Sequence, residues 1–166
     1  MTYINEQLLT TNLSISSNEI NKNIDNTIRN KLKDQIEGLC FEDGYIVKDS
    51  VKIIKKSMGK IVVNNNISSI NYPITYTAMV ISPTEGDEIQ CYVSNINKMG
   101  IIAYIKLSKE DDTKDSPIII MVPKEYFNES TLNFDDIHIG QTLNIIVVGT
   151  RIKYYSERIQ VIGKPM

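Results

Sequence analysis

Ile20, Ile24, Ile28, Leu32 and Ile36 recur at a strict spacing of four, with polar residues between them. Each step of four turns about 400°, so the stripe drifts slowly around a helix and suits docking on a twisted sheet. Ser16-Ser17-Asn18-Glu19 offers a capping box at one end and Gly38 a natural terminator at the other. The spacing therefore predicts a helix over 16–38. A helix with one apolar stripe needs a partner surface, and no second stripe of this length follows it. Residues 2–15, with Leu8, Leu9, Leu13 and Ile15, form a strand-like stretch of low regularity ahead of it.

Beyond Gly38 the pattern changes to short β-rich runs. Residues 44–51 and 51–54 suggest one strand or hairpin limb, 60–63 another, and 70–81 a third with Pro73 near its start. Ser82-Pro83-Thr84-Glu85-Gly86 then breaks the pattern and marks a domain boundary. Five further strands are expected at 88–96, 100–107, 117–122, 141–152 and 157–162, with one short helical turn around 123–127. The expected fold class is α+β: a helix-on-sheet domain over 1–81 and a five-stranded Greek-key barrel over 82–166, with an OB-fold as the leading candidate.

The chain has 166 residues and a formal net charge of −2, too acidic for a strongly basic nucleic-acid binder. Its two parts differ: nine basic against eight acidic groups over 1–81, nine against twelve over 82–166. The barrel is the more acidic part, which weakens a tight RNA-binding reading, because phosphate neutralisation supplies most non-specific affinity. No apolar run approaches the length of about 20 residues that spans a bilayer, and the first residues lack a signal peptide's features, so an intracellular, non-membrane protein is expected. Cys40 and Cys91 lie 51 positions apart, which suits reduced thiols better than a disulfide framework. The chain holds 29 Ile, 16 Asn and 15 Lys but 3 Arg. That bias fits an AT-rich genome, so Asn-rich stretches carry little functional weight.

Catalytic chemistry finds no foothold. The single histidine, His138, sits in Asp135-Asp136-Ile137-His138-Ile139-Gly140, where adjacent side chains cannot converge on one ion without a defined turn. A solvated loop before a strand is the simpler reading. Neither cysteine lies in a C-x-x-C pair, and the glycines form no phosphate-cradling loop. Glu110, Asp111, Asp112 and Asp115 mix with Ser108, Lys109 and Lys114 as an exposed acidic loop, part of an insertion over 106–116. The expectation is a non-enzyme without metal or other cofactor.

Several segments, in order, carry a resemblance. They are Ile36-Glu37-Gly38-Leu39-Cys40, Gly44-Tyr45-Ile46-Val47, Ile74-Thr75-Tyr76-Thr77-Ala78-Met79-Val80 and Pro83-Thr84-Glu85-Gly86. Val93-Ser94-Asn95-Ile96-Asn97-Lys98-Met99-Gly100, Ile145-Ile146-Val147-Val148-Gly149-Thr150-Arg151 and Ile162-Gly163 complete the set. Together they resemble the stalk protein of archaeal and eukaryotic RNA polymerases, known as E-prime in archaea and as the larger stalk partner in polymerase II. The residue bias and compact length also resemble stalk-like subunits of large DNA viruses.

The resemblance implies an N-terminal, RNP-like sheet-and-helix domain that plugs into the polymerase core through a tip loop. It also implies a C-terminal OB-fold of the ribosomal S-one type near exiting RNA. The implied partners are the large core subunits, a smaller stalk partner that some viral polymerases lack, and nascent RNA in weak contact. The implied location is the nucleus, or cytoplasm and virion for a virus. By position, Lys55, Lys56, Met58, Gly59, Lys60, Asn64 and Asn65 fall at the tip. Lys48, Lys52, Lys55, Lys56 and Lys60 oppose only Asp49 across 13 residues, a local net of +4 that reads as a docking patch or a solvated strand face.

On the barrel, Lys98, Lys106, Arg151, Lys153 and Arg158 are candidate phosphate contacts, and Tyr92, Tyr104, Tyr154 and Tyr155 candidate base platforms. Met99 and Ile102 stand where RNA-binding barrels of this kind often carry aromatics. Tyr104 is open to two readings, stacking or core. The functional alternatives are a free-standing OB-fold protein of translation or RNA processing, and a structural adaptor whose barrel binds protein.

Overall fold

The computed structural model describes residues 3–20, 23–110 and 115–166. In chain order the elements are β1 (Ile4–Ser16), α1 (Ile24–Ile36), β2 (Cys40–Phe41), β3 (Gly44–Ile46), β4 (Lys52–Lys56), β5 (Lys60–Asn64) and β6 (Ile67–Ile81). There follow β7 (Glu88–Asn97), β8 (Gly100–Tyr104), β9 (Ile118–Pro123), β10 (Thr142–Arg151) and β11 (Ile159–Pro165). They form two compact units. A sheet unit holds the described residues of 5–38 and 46–80, and a barrel unit those of 3–4, 39–45 and 81–166. Among the described residues no helix is long and apolar enough to cross a membrane.

In the sheet unit the helix is shorter than its spacing predicts. Ser16 N–H donates to Glu19 Oε1 (3.2 Å) and the Ser16 side chain accepts from Glu19 N–H, the reciprocal pair of a capping box. The Ser16 hydroxyl also donates to Glu19 Oε1 (2.8 Å). The box closes a 3-10 turn over Ser17–Glu19 instead of the α-helix, and Ile20 follows in extended backbone. Ile20 thus leaves the stripe and is exposed, while Ile28, Leu32 and Ile36 are buried. Residues 21–22 of the expected helix lie outside the described residues. The stop is as expected: Gly38 adopts φ +75°, the left-handed region that a Cβ disfavours.

The 15-residue β6 is the spine of this unit. It pairs with β1, and along its length first with β4 (Lys52 opposite Thr77, Lys56 opposite Ile74) and then with β5 (Lys60 opposite Asn71, Asn64 opposite Ile67). Pro73 falls in the gap between those two partners, and its carbonyl accepts from Ser57 N–H at 2.9 Å.

The barrel unit contains a closed five-stranded barrel in the order β10-β11-β9-β8-β7. Five strands stand where the alternation predicts them, except that β8 ends at Tyr104 rather than at 107 and the last runs over Ile159–Pro165 rather than 157–162. A 3-10 turn over Lys124–Glu129 takes the place expected for a helical turn. Ile89, Val93, Ile101, Ala103, Ile118, Ile120, Val122, Ile145, Val147, Ile159 and Val161 alternate into a filled interior, as a barrel this small requires. Gly100 opens β8 at φ +152°, where a Cβ would meet the Val122 carbonyl. β2 and β3 form a short hairpin, with Cys40 opposite Tyr45 and Phe41 opposite Gly44. Cys40 and Cys91 are buried free thiols whose pKa values burial pushes up to about 11 and about 12. His138 is exposed in the turn before β10. Asp111, Asp112 and Lys114 of the expected acidic loop lie outside the described residues.

Candidate functional site

Strand alternation fixes what the barrel shows to solvent. Register places Tyr92 opposite Tyr104, Tyr104 opposite Ile119, Ile119 opposite Gln160 and Gln160 opposite Arg151. Directly opposed residues share a face, so these five form one continuous outward row. Three strand spacings of about 4.8 Å separate Tyr104 from Arg151, roughly 14 Å along the surface. The next outward row is apolar: Ile102 opposite Met121, and Met121 opposite Ile162.

The row begins as an aromatic platform and ends in a basic cleft. The Tyr92 and Tyr104 rings lie 5.9 Å apart, and Lys106 Nζ stands 4.9 Å and 5.9 Å from their centroids. An ammonium over two ring faces is held by their quadrupoles and still has protons to donate. Tyr104 is half-buried on the outer surface, which resolves its position, and Ala103 takes the interior. At the other end Arg151, Lys153, Ser156, Arg158 and Gln160 line a cleft of about 270 Å³, with three cations and no carboxylate among them.

The loop carrying this cleft is pinned from a distant part of the chain. Cys40 N–H donates to Ser156 O at 2.8 Å, and Cys40 O accepts from Tyr155 N–H at 2.9 Å. Phe41 packs edge-on against Tyr154 and Tyr155, with centroids 6.5 Å and 5.5 Å away. These contacts hold Tyr155 at φ +62°, a left-handed conformation uncommon for an aromatic residue. Tyr154 and Tyr155 are thus engaged with Phe41, although both remain exposed.

Sequence reasoning missed Ser156, Gln160, Cys40 and Phe41. Gln160 was recoverable, because it lies between Ile159 and Val161, both buried. Phe41 was not, since its partners are more than 110 positions away. Lys98 stands apart from this set. It is exposed in the β7–β8 turn, where Asn97 Oδ1 accepts from the N–H groups of Met99 (2.8 Å) and Gly100 (3.1 Å).

The expected tip residues run through the sheet unit from the end of β4 (Lys55, Lys56), across the β4–β5 link (Met58, Gly59), to the β5–β6 hairpin (Lys60, Asn64, Asn65). Asn65 and Asn66, at φ +51° and +65°, make the two-residue turn between β5 and β6, the positive-φ pair that a type I′ hairpin needs. Met58 is 91% exposed between β4 and β5. At Gly59 an added Cβ would strike the Tyr72 ring and Ile70, so the chain can pass over them only there without a side chain. Lys56 is occupied: it pairs with Asp25 at 2.8 Å and lies 5.3 Å from the Tyr72 centroid. Lys55 and Lys60 make no ion pair among the described residues.

No family model matches the chain. The chain is 26% identical over 97 residues to DNA-directed RNA polymerase II subunit RPB7 of Glycine max, and 25% identical over 97 residues to DNA-directed RNA polymerase II subunit 7 of Arabidopsis thaliana. Each match takes in 58% of this chain and 53% of the relative, so the chain spans about half the length of the plant relatives it matches. A third similarity, 22% over 163 residues, covers 92% of this chain and 76% of a putative DNA-directed RNA polymerase subunit of Acanthamoeba polyphaga mimivirus. These similarities support the RNA polymerase stalk-subunit family. Within that family the viral match takes in both units of the chain, since neither unit alone amounts to 92% of it.

Proposed function

We propose that this chain is a non-catalytic subunit of a DNA-directed RNA polymerase, of stalk type, docked on the large core subunits through its sheet unit. Its barrel then faces nascent RNA or initiation factors. The observation that carries the barrel's role is the outward row from the Tyr92–Tyr104 platform to the Arg151/Lys153/Arg158 cleft. The strand order supports an OB-fold reading: taken in sequence the strands close as 1-2-3-5-4, with the third and fifth (β9 and β11) parallel. In OB-folds the face of strands 2 and 3 and the loops between strands 1 and 2 and between 4 and 5 bind oligonucleotides. Tyr104 lies on that face, Lys98 in the first of those loops and Lys153 in the second. The sheet unit, an amphipathic helix with a sheet whose β4–β6 and β5–β6 pairs are antiparallel, supports the RNP-like reading of the docking domain.

Few cations and an acidic surrounding make the expected RNA contact weak and salt-sensitive. It matters where the polymerase holds the transcript nearby, because tethering raises the effective concentration. The expected location is that of the polymerase itself, nuclear in a cell, or cytoplasm and virion for a virus. A free-standing RNA-binding role is not favoured, since the relatives are named polymerase subunits. Purification from the native source tests the reading. Stoichiometric recovery with the large polymerase subunits is expected, and absence from that complex would sink it.

A further inference from the structure

Resting on the docking reading above, we infer that β5 docks by strand addition: an extended segment of a large polymerase subunit, apolar and acidic by turns, pairs with its outer edge.

Pairing geometry identifies the groups involved. The two-residue turn at Asn65-Asn66 makes Asn64 and Ile67 a mutually hydrogen-bonded pair, and antiparallel pairing alternates from there. Lys60, Val62 and Asn64 therefore direct their backbone groups at β6, and Ile61 and Val63 direct theirs away from it. Among the described residues no strand pairs with that outer side. Two N–H and two C=O groups thus stand in a row at the spacing an incoming strand needs.

The side chains favour an occupant over bare solvent. All five residues of β5 are exposed, including Ile61 at 75% and Val63 at 66%, and Ile67 across the turn is 66% exposed. Isolated edges are ordinarily guarded by a central charge, a proline or a bulge. Here the centre of the strand is Ile61-Val62-Val63, and the charge stands at its start, on Lys60. Beside it, Ser17, Ile20, Ile61, Ser68, Ser69 and Ile70 line a largely apolar cleft of about 180 Å³. β4 and β5 carry Lys52, Lys55, Lys56 and Lys60 and no carboxylate. Asp25 holds Lys56, and the other three make no ion pair among the described residues, so an incoming strand is complementary when it alternates apolar side chains with Asp or Glu.

The decisive variant is Val63→Pro. Proline removes an N–H that points away from β6, where an edge position tolerates it, and leaves the β5–β6 ladder intact. Losing one backbone bond to the partner is expected to weaken recovery with polymerase by roughly tenfold at an unchanged melting temperature. Val62→Pro, whose N–H serves β6, is expected to lower the melting temperature instead. Amide exchange of the full wild-type chain, free and in the polymerase complex, supplies a reading that needs no variant. The Ile61 and Val63 amides are fast when free and slow at least about tenfold in the complex, while Val62 is slow in both. Equal recovery of Val63→Pro, or unchanged exchange at Ile61 and Val63 in a complex that does form, overturns strand addition while leaving docking in place. Failure of the wild-type chain to enter the complex overturns the docking reading itself. A concentration-dependent dimer of the isolated chain that Val63→Pro dissolves assigns the edge to a second copy, and so also overturns the proposal.

Discussion

The barrel and the β5–β6 hairpin are both β-structure rich in isoleucine and valine, the hairpin antiparallel and the barrel antiparallel except at β9–β11, yet they place those residues oppositely. In the barrel every strand has two neighbours and its branched side chains alternate inward, while the outer face carries the tyrosine-to-arginine row beside one apolar row of Ile102, Met121 and Ile162. In β5 the same residue types lie exposed on both faces of a strand with one neighbour among the described residues. Closure removes edges, so a barrel can recognise a partner only through side chains. An open edge can use its backbone as well. Identical local propensity therefore serves core-building in one unit and surface in the other, and burial separates them.

Truncation should expose that contrast at its largest. Ile145 is fully buried in the barrel, against the bare backbone of Gly163, and Ile145→Ala is expected to cost about 2–5 kcal/mol. Ile61→Ala on β5 is expected to stay within about 0.5 kcal/mol, as for other exposed positions. Urea unfolding of the two variants measures both. Comparable losses would mean that the hairpin packs against something, and the contrast would fail.

A smaller effect sharpens the barrel's side of the comparison. Edge-on aromatic pairs contribute about 0.5–1.5 kcal/mol each beyond area burial. Phe41→Ala removes two of them from the loop bearing Lys153 and is expected to speed exchange of the Tyr155 amide by an order of magnitude or so. Binding of single-stranded RNA should weaken several-fold, with the Tyr92 and Tyr104 ring resonances of the platform unshifted in the NMR spectrum. RNA affinity that survives a loosened loop would assign binding to the platform alone.

These contrasts were unequally legible in the sequence. The barrel strands were readable because a buried branched residue at every second position leaves a period of two. The helix was overrun at its start because Ile20 keeps the four-residue spacing, and side-chain spacing does not report that its backbone is extended. The capping-box signature at Ser16 and Glu19 was correct as chemistry, and it closed a shorter turn than the one expected. On the barrel, Arg151, Lys153 and Arg158 were visible as charges. The cleft that gathers them depends on Ser156, Gln160 and the Cys40–Phe41 clamp, a contact across more than a hundred residues that no local pattern encodes. On the hairpin, Asn65 and Lys60 were named by position, whereas the free edge depends on a register that the sequence does not spell out.

The smallest effect concerns acid, and it falls on the sheet unit. Hydrogen bonds from Lys31 first, then from Ser16, hold the Glu19 carboxyl down to about 2, and Lys56 holds Asp25 below its ordinary value. A carboxyl whose folded pKa is depressed stabilises the fold above its unfolded value, near 4.3, and that contribution fades as pH falls through the folded value. Both ion pairs are at least partly solvent-exposed, so the change is small and screened by salt. Between pH 5 and pH 2 the wild-type chain is expected to lose more stability to urea than Glu19→Gln, whose amide cannot titrate. The excess loss should shrink as salt is raised. Parallel losses in the two chains would show that the turn after β1 draws nothing from this ionised carboxylate, leaving the neutral bonds of the capping box to hold it.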